Sequence, residues 1–319
     1  MPQIQTTLLE KLDLVAVAFS VIGVVLWAGL TGPFRGGSGP QSYKQWLITA
    51  LVRKLTTRLS RNQMQSIGKP FSQTYQEWCK TNKADPAIVT LPSGCKGLWI
   101  GDHVKADYVF IFFHAGGFSF DGDVMHFEYG RAVMEELAKD NISSAFFFLE
   151  YTMVPYATYP TQLIEAIEAV NHVLSSGRAP SEIVLMGDSA GANLCLGILS
   201  HTAHPSPRLP PLQLSAPFKA AVLISPWIQF SPRQASTKQN QYKDFLTASN
   251  STRWGIDYLA GVKSDYYAEA FNTPSNWWSG VKVSYVIATA GADEVLVDSI
   301  SEWADRFKVS QSVRTFSSA

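Results

Sequence analysis

The sequence predicts an α/β fold in which a mostly parallel central sheet is flanked by helices. From about residue 87, short apolar runs rich in β-branched and aromatic residues alternate with longer helical patterns, which is typical of βαβ units. The chain has 319 residues, 46% of them hydrophobic, which is enough for one large domain with a substantial core. We expect residues 87–319 to form that domain, 41–86 to contribute to a helical cap, and 1–40 to be a hydrophobic anchor and linker.

The charge balance and the cysteines exclude several kinds of function. The 26 basic residues equal the 26 acidic residues, so the chain lacks the basic excess of a nucleic-acid-binding protein. Cys79, Cys95 and Cys195 are widely spaced and form neither a metal-binding pair nor a disulfide framework. We therefore expect no nucleic-acid partner and no metal site.

An uncharged apolar segment begins at Leu14 and ends at Leu30. Its span of about 17 residues is the lower limit for crossing a bilayer, and the flank before it lacks the basic region of a signal peptide. We expect a single-pass membrane anchor; the alternative is a buried helix in the cap of a soluble cytoplasmic protein. By the positive-inside rule, the basic residues after the segment predict that the large domain faces the cytosol. These residues are Arg35, Lys44, Arg53 and Lys54.

The order of elements follows from the spacing of apolar residues. Residues 41–80 have apolar side chains at helical spacing, whereas 32–40 are rich in glycine and proline, which interrupt helices. Strands that are covered on both faces read as continuous apolar runs. Five such runs occur, at 108–113, 145–149, 183–186, 220–225 and 283–289. Helical patterns cover 124–139, 162–174 and 190–201, and the aromatic-rich residues 231–280 are expected to leave the sheet and cover a site beside it.

The segment Gly187-Asp188-Ser189-Ala190-Gly191 has the form G-x-S-x-G. It follows the apolar run IVLM and precedes the helical run ANLCLGIL, and this strand–turn–helix context is what a nucleophile elbow requires. Such a turn holds the hydroxyl clear of the sheet at a helix N-terminus, so Ser189 is the predicted nucleophile. The alternative is a chance Gly–Ser–Gly turn. Asp188 is expected to support the elbow structurally.

A glycine-containing loop, His114-Ala115-Gly116-Gly117, comes directly after the run YVFIFF. This strand-to-loop position donates backbone N–H groups to the oxyanion of acyl-transfer reactions. We expect Gly116, Gly117 and Ala190 to be the donors. His114 is expected to brace the loop by hydrogen bonding rather than to act as a general base.

These motifs resemble those of the hormone-sensitive-lipase-like branch of the α/β-hydrolases. The HGGG pattern of that family is present here as HAGG at His114, and its GDSAG pattern is intact around Ser189. Three further segments, YTMVP from Tyr151, SPW from Ser225 and DEVLVD from Asp293, follow in the family's order. The resemblance implies an α/β-hydrolase fold with an eight-stranded sheet, and ester hydrolysis without metal or cofactor. We expect the substrate to be a small or medium apolar acyl ester.

The predicted acid is Asp293, which follows the last predicted strand on a loop at its carboxyl end. A carboxylate that orients a histidine is expected in this place; the alternative is an ordinary surface aspartate. Asp298 is expected to brace the same loop or to cap the helix that follows it.

The triad order in this fold is Ser, Asp and then His, but the last of the six histidines is His204. The C-terminal end is therefore expected to be truncated and the activity impaired, with His114 the first candidate for a substitute base. Two alternatives remain open. One is a non-catalytic small-molecule-binding protein on the same scaffold, and the other is an acyl transferase or thioesterase.

Overall fold

The structure, a computed structural model, describes residues 6–310 and 314–316. The α-helices in these residues are α1 (Leu8–Thr31), α2 (Tyr43–Arg58), α3 (Arg61–Ile67), α4 (Phe71–Asn82), α5 (Val124–Lys139), α6 (Thr161–Ser175), α7 (Ala190–Ala203), α8 (Ala235–Gln239), α9 (Ala248–Leu259) and α10 (Val297–Ser310). The strands are β1 (Ala87–Thr90), β2 (Lys96–Ile100), β3 (Tyr108–Phe113), β4 (Ser144–Glu150), β5 (Ile183–Asp188), β6 (Ala220–Ile224), β7 (Tyr285–Thr289) and β8 (Arg314–Phe316).

The predicted helical stretch 41–80 consists of three helices, α2, α3 and α4. The Ser60 hydroxyl accepts a hydrogen bond from Gln63 N at 3.2 Å and so caps α3 at its start. Gly68 and Pro70 separate α3 from α4, because proline lacks an N–H and disfavours helical geometry in the residue before it. The local sequence therefore sets both breaks.

Helices α1 and α2 pack side by side in antiparallel directions. The Tyr43 hydroxyl donates to Gly29 O at 2.9 Å near one end of the pair. The Arg58 guanidinium forms an ion pair with Asp13 near the other end. By length and composition, the described residues contain one helix that is able to cross a membrane, within Leu8–Phe34, and little of it is buried.

The eight strands form one sheet in the order β1-β2-β4-β3-β5-β6-β7-β8. The first three strands of this order pair antiparallel, and the six from β4 to β8 run parallel. The predicted α/β fold with a mostly parallel sheet is confirmed. The sequence analysis did not predict β1 and β2, because β1 is only partly buried and lacks the continuous apolar run of a central strand.

Alternate side chains of the central strands fill two separate cores, one on each face of the sheet. Ile111 and Phe113 lie in the core that includes α6 and α7, whereas Phe112 lies in the core that includes α4 and α5. Burial on both faces explains why these strands are apolar throughout. The strand predicted to start at residue 283 starts at Tyr285, because Val283 forms only an isolated bridge.

The carboxyl ends of parallel strands meet at one edge of a sheet, which is where ligands bind in open α/β folds. The residues that follow β3, β5 and β7 therefore come together at this edge. Helix α9, from the aromatic-rich region, packs against the same edge. Its Tyr258 ring stacks on Phe118, with ring centroids 3.9 Å apart.

Candidate active site

Ser189 occupies a sharp turn between β5 and α7. Its backbone angles, φ 50° and ψ −110°, are strained for a residue with a side chain. Two hydrogen bonds hold this conformation: Ser189 N donates to Ile224 O at 2.8 Å, and Ser189 O accepts from Trp227 N at 3.1 Å. The residue is partly exposed, whereas all of α7 up to His201 is buried. This is the geometry of an exposed nucleophile on a rigid turn.

Gly191 brings the start of α7 into backbone contact with the end of β3. A Cβ atom at this position would lie 1.8 Å from Phe113 O and 2.9 Å from His114 O, closer than any side chain permits. Only glycine therefore allows the elbow and the loop after β3 to approach in this way. The contact puts Ser189 beside the predicted oxyanion loop.

The oxyanion loop, residues 114–120, turns back on itself through its glycines. Gly116 has φ 119° and Gly117 has φ 55°, and the N–H groups of Ser119 and Phe120 both donate to Gly116 O. The ring of Trp254 lies over the loop, 2.8 Å from the place where a Cβ of Gly117 would be. The oxyanion loop and helix α9 are therefore packed directly against each other.

His114 is fully buried below this loop and braces it. Its Nδ1 is 2.6 Å from Ala115 O, a contact in which the ring nitrogen donates, and its ring stacks on Tyr151 at 4.1 Å. The Tyr151 hydroxyl in turn donates to His114 O at 3.0 Å. Burial, together with the charge of nearby His126, lowers the pKa of His114 to about 3. This imidazole therefore stays neutral and is a poor proton acceptor.

A charged cluster that the sequence analysis missed supports the elbow from below. His126 Nε2 is 3.4 Å from Asp188 Oδ2, and His126 Nδ1 is 3.3 Å from Asp123 Oδ1. Burial alone would lower the pKa of His126, but hydrogen bonds to the two carboxylates raise it to about 10. The structure therefore places Asp188 in contact with His126 behind the elbow. The available signal was the spacing of Asp123 and His126, an acidic residue and a histidine three residues apart at the start of a helix.

Two neighbouring carboxylates lie in the loop after β7, and they have different partners. Asp293 forms an ion pair with Lys243 at 2.8 Å and is partly exposed. Glu294 Oε1 instead accepts hydrogen bonds from Ser225 Oγ and Gly291 N, both at 2.7 Å. Burial raises the pKa of Glu294 above its ordinary value, although these two donors act in the opposite direction. The sequence analysis proposed Asp293 and did not consider Glu294.

The remaining contacts of this loop are structural. Asp298 Oδ2 accepts from Ser236 N at 2.7 Å, so this carboxylate braces the loop against α8. It does not cap α10, because the helix has already begun at Val297. Asp244 Oδ2 accepts from Val295 N at 2.8 Å and fixes the loop from the other side.

The six histidines of the sequence all have contacts other than Ser189. Besides His114 and His126, two donate a ring N–H to a main-chain carbonyl and two stack on rings. These are His201 with Pro210, His204 with Trp277, His103 with Trp99, and His172 with Phe147. Within residues 6–310 and 314–316, no side chain hydrogen-bonds to Ser189 Oγ.

A cavity of about 280 Å³ opens beside the oxyanion loop. Phe120 and Trp254 form its apolar side, with their rings 5.4 Å apart. Arg61 and Asp257, paired at 3.1 Å, form part of its rim. The cavity therefore lies between the start of α3, helix α9 and the end of the oxyanion loop at Phe120, and neither Ser189 nor Gly116 is among its lining residues.

Comparison with known proteins agrees with this geometry. A model of the α/β-hydrolase fold family matches residues 110–317, more than half of the chain. An acetyl-hydrolase of Streptomyces hygroscopicus is 26% identical over 178 residues, which are 56% of this chain and 55% of the relative. An esterase of Acinetobacter venetianus is 24% identical over 217 residues, 67% of each protein.

Among solved structures, an esterase of the bacterial hormone-sensitive lipase family has a TM-score of 0.66 at 19% identity, with 87% of this chain and 88% of that chain covered. The chain spans about half the length of the Streptomyces relative. The resemblance that the motifs predicted is confirmed, and the chain belongs to the α/β-hydrolase fold family.

Proposed function

We propose that this chain is a carboxylic ester hydrolase with Ser189 as its nucleophile. The observation that carries the proposal is the strained serine between β5 and α7, held beside the oxyanion loop by the Gly191 contact. Ser189 Oγ attacks the acyl carbon, the alcohol leaves with a proton, and water then releases the acid from the acyl-serine. Backbone N–H groups of Gly116, Gly117 and Ala190 stabilise the oxyanion of each step.

Glu294, rather than the expected Asp293, is the carboxylate that this proposal assigns to the site. Glu294 is bonded to Ser225, the residue after Ile224, whose carbonyl holds Ser189 N. Asp293 is instead neutralised by Lys243. If the assignment is right, Glu294→Gln lowers the slow turnover of this polypeptide more than Asp293→Asn does, because Glu294 is bonded next to the carbonyl that holds Ser189 N; the reverse order of effects would restore Asp293.

A complete triad also needs a histidine between the serine and the carboxylate. Burial and the charge of His126 lower the pKa of His114 to about 3, so His114 is not proposed as that base. No histidine follows Asp293 in the printed sequence. The polypeptide of that sequence is therefore expected to be a slow catalyst by itself.

The proposed substrate is a small or medium apolar acyl ester. The cavity beside the oxyanion loop supports this, because its walls include the rings of Phe120 and Trp254 and its volume is about 280 Å³. Apolar acyl groups gain free energy when they leave water for such a surface.

The nucleophile is tested with a fluorophosphonate probe, which reacts covalently with activated serines. We expect slow labelling at one site, identified by peptide mapping as Ser189, and none in Ser189→Ala. Ser251→Ala is not a suitable control because Ser251 is buried, whereas exposed Ser301→Ala is suitable. Labelling that persists in Ser189→Ala would refute the assignment.

A non-catalytic small-molecule-binding protein is the second candidate. The observation that favours it is that no histidine contacts Ser189 Oγ in the described part of the chain. An ester that is recovered intact after equilibrium binding, with no probe labelling of Ser189, would favour this function. Acyl transfer is distinguished from hydrolysis by product analysis with an added alcohol acceptor, since both reactions use the same acyl-serine.

Membrane association through the segment between Leu14 and Leu30 is also proposed. Its support is an apolar N-terminal helix that is largely exposed. We expect the full chain to sediment with membranes and a chain that starts at Gln41 to stay soluble without detergent. Equal solubility of the two would favour a soluble cap helix.

A further inference from the structure

The outward side of α1 has no charged or hydroxyl side chain between Leu12 and Leu30. Six of its exposed large side chains recur at helical spacing along one side of the helix, and Trp27 beside them is exposed as well. The six are Leu12, Val15, Phe19, Ile22, Leu26 and Leu30. With 24 residues at 1.5 Å each, α1 is about 36 Å long. An apolar strip of this length needs an apolar partner.

The α1–α2 hairpin, which we define as residues 8–58, covers the other side of α1. Trp46 Nε1 donates to Ala28 O at 2.9 Å, and the Arg58–Asp13 ion pair lies at the opposite end. Asp13 and Ala28 are about 22 Å apart along the helix. Helix α2 therefore accompanies α1 over most of its apolar length.

Both ends of the hairpin are fixed to the hydrolase domain or its cap. The Arg53 guanidinium donates to Asp244 O, and Asn250 Nδ2 donates to Thr56 Oγ1 at 3.2 Å, which ties α2 to the domain. Gln63 Nε2, in α3, donates to Glu10 O at 3.0 Å and ties down the start of α1. The beginning of α1 thus lies on the same side as the domain.

The N-terminal residues 1–69, which include the hairpin, are basic, whereas the remainder of the chain is acidic. Residues 1–69 contain eight Lys and Arg but only two Asp and Glu, a net charge of +6. The other residues carry −6, because the whole chain is neutral. A cationic region beside an apolar helix complements the anionic surface of a lipid bilayer.

We propose that the α1–α2 hairpin lies along one leaflet of an anionic bilayer and does not cross it, so that the N-terminus and the hydrolase domain are on the same side. This rests on the membrane association proposed above. A single-pass α1 would carry Arg53 and Lys54 of α2 into the hydrocarbon beside it, at a cost of several kcal/mol. An α1 that crossed without α2 would instead separate Glu10 from Gln63, to which its carbonyl is hydrogen-bonded.

Topology is measured with a membrane-impermeant maleimide on the full chain bound to sealed phosphatidylserine-containing vesicles. The native cysteines, Cys79, Cys95 and Cys195, are free and buried, so the folded protein gives little background. Exposed Thr7→Cys, just before α1, reports the side of the N-terminus, and Gly37→Cys, which enters open space, reports the hairpin tip. Ser301→Cys reports the exposed surface of the domain. We expect all three variants to label equally before detergent is added.

Each result decides between the proposals. If Ser301→Cys labels without detergent but Thr7→Cys labels only with it, α1 crosses the bilayer; if Gly37→Cys labels only with it, the hairpin tip crosses. Either result would overturn the surface arrangement and leave membrane association intact. Failure of the chain to float with vesicles would instead refute membrane association itself.

The electrostatic part is tested with Lys44→Gln and Lys54→Gln, which each should weaken binding to these vesicles about fivefold. Lys139→Gln, on the exposed end of α5, is the matched control and should not change it. Equal losses in all three variants would contradict a specific role for the hairpin.

Discussion

At the scale of single residues, the site contains positions where the surrounding main chain leaves no space for a side chain. Gly191 is the clearest case, because its missing side chain lets α7 begin against Phe113 O. We expect Gly191→Ala to destabilise the protein by at least about 2 kcal/mol, since the added methyl group has to displace main chain rather than a side chain. Urea unfolding measures the loss. Gly37→Ala, where the methyl group meets nothing within 4 Å, is the control, and equal stability of the two variants would contradict the geometry of the elbow.

The His126 cluster predicts a pH dependence of stability. Burial by itself would lower the pKa of His126 below its ordinary value of 6.5, but hydrogen bonds to Asp123 and Asp188 raise this pKa to about 10. Because the pKa of His126 is raised in the folded protein, its charge stabilises the fold fully at pH values below 6.5. This stabilisation is lost as the pH rises towards 10. We expect His126→Gln to cost about 2 kcal/mol at pH 6 and progressively less towards pH 10.

The check is urea denaturation of both proteins across that pH range. A difference in unfolding free energy that stays constant from pH 6 to pH 10 would show that His126 is not charged in the folded protein. His172→Gln, whose imidazole only stacks on Phe147, is the matched control.

At this scale the sequence predicts site residues only where a local motif specifies the backbone. Ser189, Gly116 and Gly117 lie on turns that short motifs specify. Asp293 was predicted and Glu294 was not considered, because adjacent loop carboxylates have no periodicity to show which one turns inwards. That choice depends on Lys243 and Ser225, which are distant in sequence and meet only in the fold.

At the scale of elements, the side chain of Gln65 joins helix α3 to the oxyanion loop. Gln65 Nε2, in α3, donates to Ser119 O at 2.6 Å and to Val154 O at 2.8 Å. We expect Gln65→Ala to cost about 1–3 kcal/mol, because it leaves two carbonyls without a donor in a partly buried place. It should also slow probe labelling of Ser189, since the loop loses its tether. Gln73→Ala, on an exposed part of α4, should change neither the unfolding midpoint nor the labelling rate.

The central strands were predictable because burial on both faces leaves them apolar from end to end. The antiparallel edge was not, since β1 is partly exposed and β2 contains Lys96 and Gly97. The pairing of α1 with α2 was not predictable either. It depends on contacts such as Tyr43 with Gly29, and helical spacing says nothing about which helix a given face meets.

At the scale of the whole molecule, the proposed nucleophile has no histidine bonded to it within residues 6–310 and 314–316. General-base assistance contributes about 10²–10⁴-fold to such reactions. We therefore expect the polypeptide of the printed sequence to hydrolyse p-nitrophenyl acetate only slowly, with a rate that Ser189→Ala lowers further. Release of p-nitrophenol measures it. Turnover typical of an esterase that falls in His114→Ala, with the circular dichroism unchanged, would make His114 the base after all.

The position of the cavity has a consequence for selectivity among esters. The rim residues Ser60 and Arg253 also border a depression formed by Leu9 and Glu10 at the start of α1. For a hydrolase held on a bilayer by its hairpin, esters then arrive from the lipid phase, where each additional methylene favours partitioning by about 0.8 kcal/mol, close to fourfold. A preference for longer acyl chains would in that case come from partitioning of the ester into the bilayer. It would disappear when the same esters are supplied as monomers in water.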